Sequence, residues 1–180
     1  MKDLFGNEVV ETRGEVETCL GQMDSDTLEA RANNLAFILS IAPDAAVMMM
    51  PQETLLVFTE ARDAFVNGLY VGTIMLAQAF IEHRLQVLMV DIGEENAAKR
   101  GVDAIIKRLR ALRPQHSFII DKIDWMRSFR NPFTHLKPFE HPHTIGQISL
   151  RLRKHPNDIL YHNAKEAVAL MYKVAEMDWT

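Results

Sequence analysis

The chain has 180 residues, of which 48% are hydrophobic and 24% charged, and its formal net charge is −4. This composition is typical of a compact domain with a buried core, and it excludes a collagen-like, low-complexity or disordered chain. Cys19 is the single cysteine, so an internal disulfide is excluded. No apolar run is long enough to cross a bilayer and the N-terminus lacks a signal-peptide pattern, so we expect a cytoplasmic protein without a membrane partner.

The first segment, residues 1–22, is polar and acidic and contains several glycines, which predicts a loose N-terminal arm. Residues 23–180 are predicted to form a single helical domain. Asp26 and Glu29 fit a capping box, so we expect a first helix from there to about residue 41.

Two further helices are predicted in the middle of the chain. Pro51 suits a first-turn position, and the helix that follows it is expected to end at Gly68. A long helix from about Leu69 to Val90 has apolar residues around most of its circumference, which is typical of a central, buried element.

The second half of the chain is strongly basic. Residues 99–154 contain 13 Lys and Arg against 4 Asp and Glu, a balance of +9, which leaves −13 for the rest of the chain. A clustered positive field attracts phosphate backbones. The same pattern also fits a basic helix face that balances acidic residues in the fold or in a dimer.

Three longer helices and one short helix are predicted in this half. The first is amphipathic and ends before Pro114, and the second starts at Ser117 and stops at Arg130, because a residue that precedes proline disfavours helix. Residues 132–156 contain four prolines and predict irregular structure with one short helix, and a final helix starts near Asn163. We therefore predict an all-α fold, a bundle of five or six helices.

Arg130 and His135 enclose the segment RNPFTH, in which a chemical function is most plausible. The guanidinium suits phosphate oxygens, and the imidazole can exchange protons near neutral pH, so the pair can support transesterification without a metal. Asn131 and Pro132 also suit the N-cap and first position of a new helical turn, whose free N–H groups favour an anion. Arg110 and His116 have a similar spacing without the asparagine, and we treat them as a coincidence.

The RNPFTH segment resembles the RNxxxH signature of the HEPN superfamily. The upstream segment GLYVGTIMLAQAFIEHRL resembles that superfamily's central helix, with an acidic residue, here Glu82, near its end. The resemblance implies a HEPN-like bundle that forms a homodimer, with arginine and histidine of two protomers in one cleft. Active members are metal-independent endoribonucleases, so it also implies RNA as the substrate and a role in stress or defence.

The resemblance assigns roles to individual residues. Arg130 would bind the scissile phosphate, His135 would act as general base or general acid, and Asn131 would orient one of them or the phosphate. Glu82 is a supporting candidate. The candidate substrate-binding residues are Arg127, Lys137, His141 and His143.

Other interpretations stay open at this point. Many HEPN members keep the fold without cleaving RNA, so the alternative is a non-catalytic module that binds nucleic acid or a protein partner. An inhibitory or regulatory protein is a further candidate partner. In a purely structural interpretation, Arg130 caps a helix end and His135 packs in a loop. His141 and His143 lack the CxxC or HExxH context of a zinc site, so we predict no metal and no cofactor.

Overall fold

The structure, a computed structural model, describes residues 12–42 and 50–179. These residues form eight α-helices and one 3-10 turn and contain no strand, so the all-α prediction is confirmed. The helices outnumber the five or six predicted for the bundle: α7 is the short helix expected within residues 132–156, and α4 was not predicted. The helices are α1 (Arg13–Ile41), α2 (Gln52–Val66), α3 (Tyr70–Asp91), α4 (Glu95–Lys99), α5 (Val102–Leu112), α6 (Ser117–Thr134), α7 (Ile145–Leu152) and α8 (Pro156–Glu176), and the 3-10 turn is Pro114–His116.

The start of α1 differs from the prediction. Thr12 is its N-cap and forms a capping box with Glu15, whose carboxylate accepts from the Thr12 N–H at 2.7 Å. The predicted capping box at Asp26 and Glu29 is wrong, because both residues lie inside the helix. Within residues 12–41 two segments match the capping-box pattern, and the helix starts at the earlier one.

Much of the predicted N-terminal arm lies outside the described residues, which begin at residue 12. Residues 13–22 of that arm are helical and exposed. The buried residues of α1 are Asn34 and Ile38, in its second half. The Asn34 side-chain amide donates to the carbonyl of Phe65 at 2.9 Å, which ties α1 to the end of α2.

The central element is α3, which lies within one residue of its predicted bounds. It packs against α2, α4, α5, α6 and α8, which explains why apolar residues cover most of its circumference. Gly68 allows the sharp reversal from α2 into α3 with a φ of +73°, a conformation that glycine adopts without strain. The fully buried apolar side chains of α3 are Ile74, Ala77, Phe80, Ile81, Leu85 and Met89.

The last helix begins at Pro156, earlier than the predicted start at Asn163. His155 is the N-cap, and its Nδ1 accepts from the N–H of Asn157 at 3.2 Å. Asn163 lies within α8 and donates to the Ile159 carbonyl at 2.7 Å. The proline was the overlooked signal, since its fixed φ suits the first position of a helix.

Within the described ranges, no helix is long and apolar enough to span a membrane.

Asp124 links α5 and α6 through two arginines. Its Oδ2 lies 2.9 Å from Arg110 Nη2, and its Oδ1 lies 2.9 Å from Arg127 Nη2. Burial raises the pKa of Asp124, but the hydrogen bonds from Arg127 and Arg110 outweigh burial and hold that pKa below its ordinary value. The carboxylate therefore stabilises the folded state in its charged form.

We expect Asp124→Asn to lower the free energy of unfolding by about 1 kcal/mol near neutral pH. A carboxyl whose pKa is lower in the folded state contributes fully above its unfolded pKa, about 3.9, and loses that contribution as the pH falls through the folded value. The difference between the two proteins should therefore shrink at acidic pH, as the pH falls from the unfolded pKa through the lower folded value. Urea unfolding at neutral and at acidic pH measures this, and an equal difference at both would contradict the ion-pair assignment.

Candidate functional site

The segment RNPFTH lies at the end of α6, which continues through Pro132 to Thr134. The prediction that the helix stops at Arg130 is wrong. Pro132 has no N–H, but the His135 N–H and the Thr134 hydroxyl both donate to the carbonyl of Asn131, at 2.9 and 3.0 Å. The Phe133 ring also packs 5.7 Å from the buried Phe129 ring, so tertiary packing supports the last turn.

His135 is the C-cap of α6 and has an extended backbone, with φ −136° and ψ 122°. Asn131 is therefore not the N-cap of a new turn, and the anion site predicted at free N–H groups near Pro132 is wrong. The C-terminal end of a helix carries partial negative charge and favours cations. Any anion at this place must be bound by side chains. The His135 imidazole itself is exposed.

Arg130 is joined to α3 by an ion pair. Its Nη2 lies 2.9 Å from Oε1 of Glu82, with 20% and 25% of the two side chains exposed. The same carboxylate oxygen accepts from Nε2 of the fully buried Gln78 at 2.9 Å. Glu82 therefore fixes the orientation of the Arg130 guanidinium, and Gln78 fixes that of Glu82.

This polar cluster retains unused hydrogen-bonding groups. Nε of Arg130 and Oε1 of Gln78 are buried and lack a partner in the described part of the chain. Nη1 of Arg130 also makes no hydrogen bond in that part of the chain. The guanidinium donates to Glu82 through Nη2. Arg130 is thus held through Nη2, and its other guanidinium nitrogens have no hydrogen-bond partner among the described residues.

The other predicted site residues have different surroundings. Arg127 is engaged by Asp103 and Asp124, each at 2.9 Å, so its guanidinium ties α5 to α6. His141 and His143 lie in the loop before α7, where Nδ1 of His141 accepts from the His143 N–H at 3.3 Å. Lys137 is half-buried in the same loop and makes no ion pair with any described residue.

The similar pair Arg110 and His116 does not form a site. Arg110 binds Asp121 and Asp124, each at 2.9 Å, and the His116 ring packs edge-on against Trp179. These contacts agree with the interpretation of the Arg110–His116 spacing as a coincidence.

The basic third of the chain divides into paired and unpaired cations. Several of its arginines and lysines bind carboxylates within the described fold, as expected for a basic helix face that balances acidic residues. Arg151, Arg153 and Lys154, at the end of α7, make no ion pair with any described residue. Three of the unpaired cations of this region therefore lie together at that helix end. The paired cations are Lys99, Arg108, Arg110, Lys122, Arg127 and Arg130.

A cavity of about 490 Å³ lies between α6, α7 and α8, next to these free cations. Its lining combines apolar side chains with basic ones, and the charged members are the cations Arg151 and Lys154. No sequence pattern indicates this cavity, because only the packing of three helices brings its lining residues together. The lining residues are Trp125, Phe129, His143, Ile148, Arg151, Leu152, Lys154, Ile159, His162 and Asn163.

Comparison with known proteins adds nothing to this geometry. Neither a family model, nor a curated protein, nor a solved structure matches the chain. The HEPN resemblance therefore rests on the segment from Arg130 to His135 and on the pattern of α3. In residues 12–42 and 50–179, no three His, Cys, Asp or Glu side chains are grouped so that they could hold a metal ion.

We expect Pro132→Ala to raise the free energy of unfolding by about 1–3 kcal/mol, because alanine restores a helical N–H and is far more favourable than proline inside a helix. Urea unfolding at neutral pH measures the gain. Gly14→Ala, in the exposed part of α1, is a control for helix propensity alone, with a gain of about 1 kcal/mol at most. A destabilised Pro132→Ala protein would show that the proline ring itself supports the end of α6.

Proposed function

We propose that the chain is a metal-independent endoribonuclease of HEPN type. The observation that supports this most is the end of α6, where His135 is exposed and Arg130 is held by Glu82 with a nitrogen to spare. Phe129, the residue before Arg130, lines the cavity whose charged side chains are all cations. An imidazole and a guanidinium thus lie at the end of one helix, and the residue before the guanidinium lines a cavity whose charged side chains are cations, which suits a phosphodiester substrate.

The proposed reaction is an internal transesterification of RNA. A general base takes the proton of a ribose 2′-hydroxyl, and the 2′-oxygen attacks the adjacent phosphorus. The bond from phosphorus to the 5′-oxygen breaks, and a general acid gives that oxygen a proton. The products end in a 2′,3′-cyclic phosphate and a 5′-hydroxyl. Arg130 stabilises the charge that develops on the phosphate oxygens.

The reaction needs an acid and a base, while each chain supplies one histidine in the motif. We therefore include a homodimer in the proposal, with His135 of each copy lining a shared cleft. The two imidazoles then divide the two proton transfers. Light scattering over a range of protein concentrations measures the mass in solution, and a monomer at all concentrations would contradict this part of the proposal.

The test of the activity is incubation of the purified chain with single-stranded RNA in excess EDTA. We expect cleavage that EDTA does not reduce, with products that carry a cyclic phosphate and a free 5′-hydroxyl. Phosphatase-resistant 3′ ends and ready labelling of 5′ ends by a kinase identify those products. RNA that stays intact would overturn the proposal, and cleavage that EDTA abolishes would point to a metal-dependent contaminant or mechanism.

The second candidate is a non-catalytic helical module that binds RNA or DNA. The ion pair between Arg130 and Glu82 favours it, because that contact also explains Arg130 as a structural link between α6 and α3. The same incubation separates the two functions. Intact RNA together with binding that weakens as salt is raised would identify the module.

A further inference from the structure

We infer that the cavity between α6, α7 and α8 binds a nucleoside phosphate, with the base on Trp125 and the phosphate on Arg151 and Lys154. The cavity volume, about 490 Å³, is in the range of small-molecule sites, roughly 300–1,000 Å³. Binding here does not require cleavage at His135, so it can be measured in an inactive protein. Three features of the cavity favour such a ligand: its cations, its aromatic wall and a lining without carboxylates.

The two cations are exposed, and the backbone of the α7 terminus fixes their places. Arg153 ends α7 in the left-handed region with φ 53°, which reverses the chain toward α8. The Ser149 hydroxyl donates to the carbonyl of Lys154 at 2.6 Å, and the Lys154 N–H donates to the carbonyl of Ser149 at 3.3 Å. This closed turn holds Lys154 near Arg151, so the two side chains can bind one phosphate group.

The aromatic wall is Trp125. Its ring stacks on Phe129, with ring centroids 5.5 Å apart and planes 16° apart, while 46% of the residue stays exposed. The buried Phe129 therefore supports an indole that still has free surface. Such a supported aromatic ring is a platform for a nucleobase, because every base has a π face.

A neighbouring cavity differs from the cavity beside α7 in having carboxylates in its lining. That cavity, about 380 Å³ between α6 and α8, also contains Trp125, but Asp121 and Glu166 are among its lining residues. Carboxylates repel phosphate at short range. The cavity beside α7 has none in its lining, and His143 and His162 add hydrogen-bonding nitrogens to its two cations. The combination of an aromatic platform with cations alone is therefore specific to one of the two cavities.

The expected ligand is an unpaired nucleotide with an accessible phosphate. Such a nucleotide can come from two sources. One is a nucleotide within single-stranded RNA, and the other is a free mononucleotide. The test measures both. Trp179 is buried beside His116, so the conservative change Trp179→Phe leaves Trp125 as the single tryptophan, which can be excited selectively over the three tyrosines.

In the full-length Trp179→Phe protein, we expect AMP and a short oligoadenylate to quench Trp125 fluorescence in a saturable manner. Adenosine and inorganic phosphate should each bind about tenfold more weakly than AMP or worse, since each has half of the contacts. Quenching by oligoadenylate and not by AMP would assign the site to RNA, and the reverse would assign it to a free nucleotide. Either result supports the inference.

Paired variants test the cations. Arg151→Ala with Lys154→Ala should weaken AMP binding about tenfold or more. The matched control is Lys107→Ala with Arg153→Gly, which removes two positive charges outside the cavity lining and places glycine at the positive φ. Equal AMP affinity in both double variants would overturn the phosphate assignment.

The aromatic contact needs a measurement that does not use fluorescence. Trp125→Ala should weaken AMP binding by about tenfold in calorimetry, whereas Phe118→Ala, on an exposed ring of the neighbouring cavity, should leave it unchanged. No binding of AMP or oligoadenylate to the folded wild-type chain would overturn the inference. Inorganic phosphate that binds as tightly as AMP would also overturn it, since the base would then have no place in the cavity.

Discussion

His135→Ala is expected to reduce RNA cleavage by about 10²- to 10⁴-fold, the usual contribution of a general acid or base. The side chain is exposed at the end of α6, so its loss should leave the free energy of unfolding nearly unchanged. Initial rates on a labelled single-stranded RNA in EDTA measure the first effect, and urea unfolding measures the second. Loss of activity in a protein of unchanged stability would identify a chemical role for the imidazole.

Arg130 requires a variant that keeps its ion pair, because truncation would leave the half-buried Glu82 carboxylate without its cation and with the Gln78 amide as its remaining partner. Arg130→Lys keeps the charge beside Glu82 but loses the planar fork that binds two phosphate oxygens. We expect about 10²-fold slower cleavage with stability within about 1 kcal/mol of the wild type. Stability that falls while cleavage persists would show that Arg130 is a structural link only.

The matched histidine control is His155→Asn, since His155 is exposed and asparagine is also a good N-cap for α8. This variant should cleave RNA at the wild-type rate. If it loses as much activity as His135→Ala, the effect is a general property of histidine removal in this basic region. Wild-type rates in both variants would remove His135 from the mechanism.

The helices were predictable where periodicity is strong. The apolar pattern of α3 covers its circumference because five other helices pack around it, and that pattern placed its ends within one residue. Helix ends that depend on single residues were harder. Thr12 and Pro156 are good capping and first-turn residues, but Asp26 and Asn163 have similar local signals, and local sequence alone does not rank them.

Pro132 shows how packing overrides a local rule. A residue before proline disfavours helix, and on that ground α6 was predicted to stop at Arg130. Near a helix end the missing N–H costs one hydrogen bond, and the contact of Phe133 with buried Phe129 favours one more turn. The contact lies in the fold and not in the local sequence, so a local rule does not detect it.

The candidate site was predictable in part, for the same reason. Residue types and spacing identified Arg130 and His135, and the HEPN resemblance of the upstream helix added Glu82. The structure brings Arg130 and Glu82 together across 48 residues of sequence. Which cations are free was not predictable. Arg127 is bound by Asp103 and Asp124, whereas Arg151 has no carboxylate partner in the described part of the chain. Both are arginines in a basic region, and only the helix packing distinguishes them.

Phe129→Ala is expected to lower the free energy of unfolding by about 3–5 kcal/mol, the largest stability effect proposed for this chain. The side chain is 1% exposed and touches the rings of Trp125 and Phe133, so truncation leaves a void under the last turns of α6. Phe129→Leu, which keeps most of the volume, should lose about 1.5 kcal/mol or less. Urea unfolding near neutral pH measures both.

A surface phenylalanine on the same helix provides the control. Phe118 is 68% exposed, so Phe118→Ala should change the free energy of unfolding by about 0.5 kcal/mol or less. Phe129→Leu should also weaken AMP binding, because Phe129 supports the indole of Trp125 that faces the ligand. The loss of binding free energy should exceed the loss in free energy of unfolding. If Phe129→Ala costs no more than Phe118→Ala, the last turns of α6 are not packed on the core, and Arg130 and His135 then have no fixed relation to each other or to the cavity.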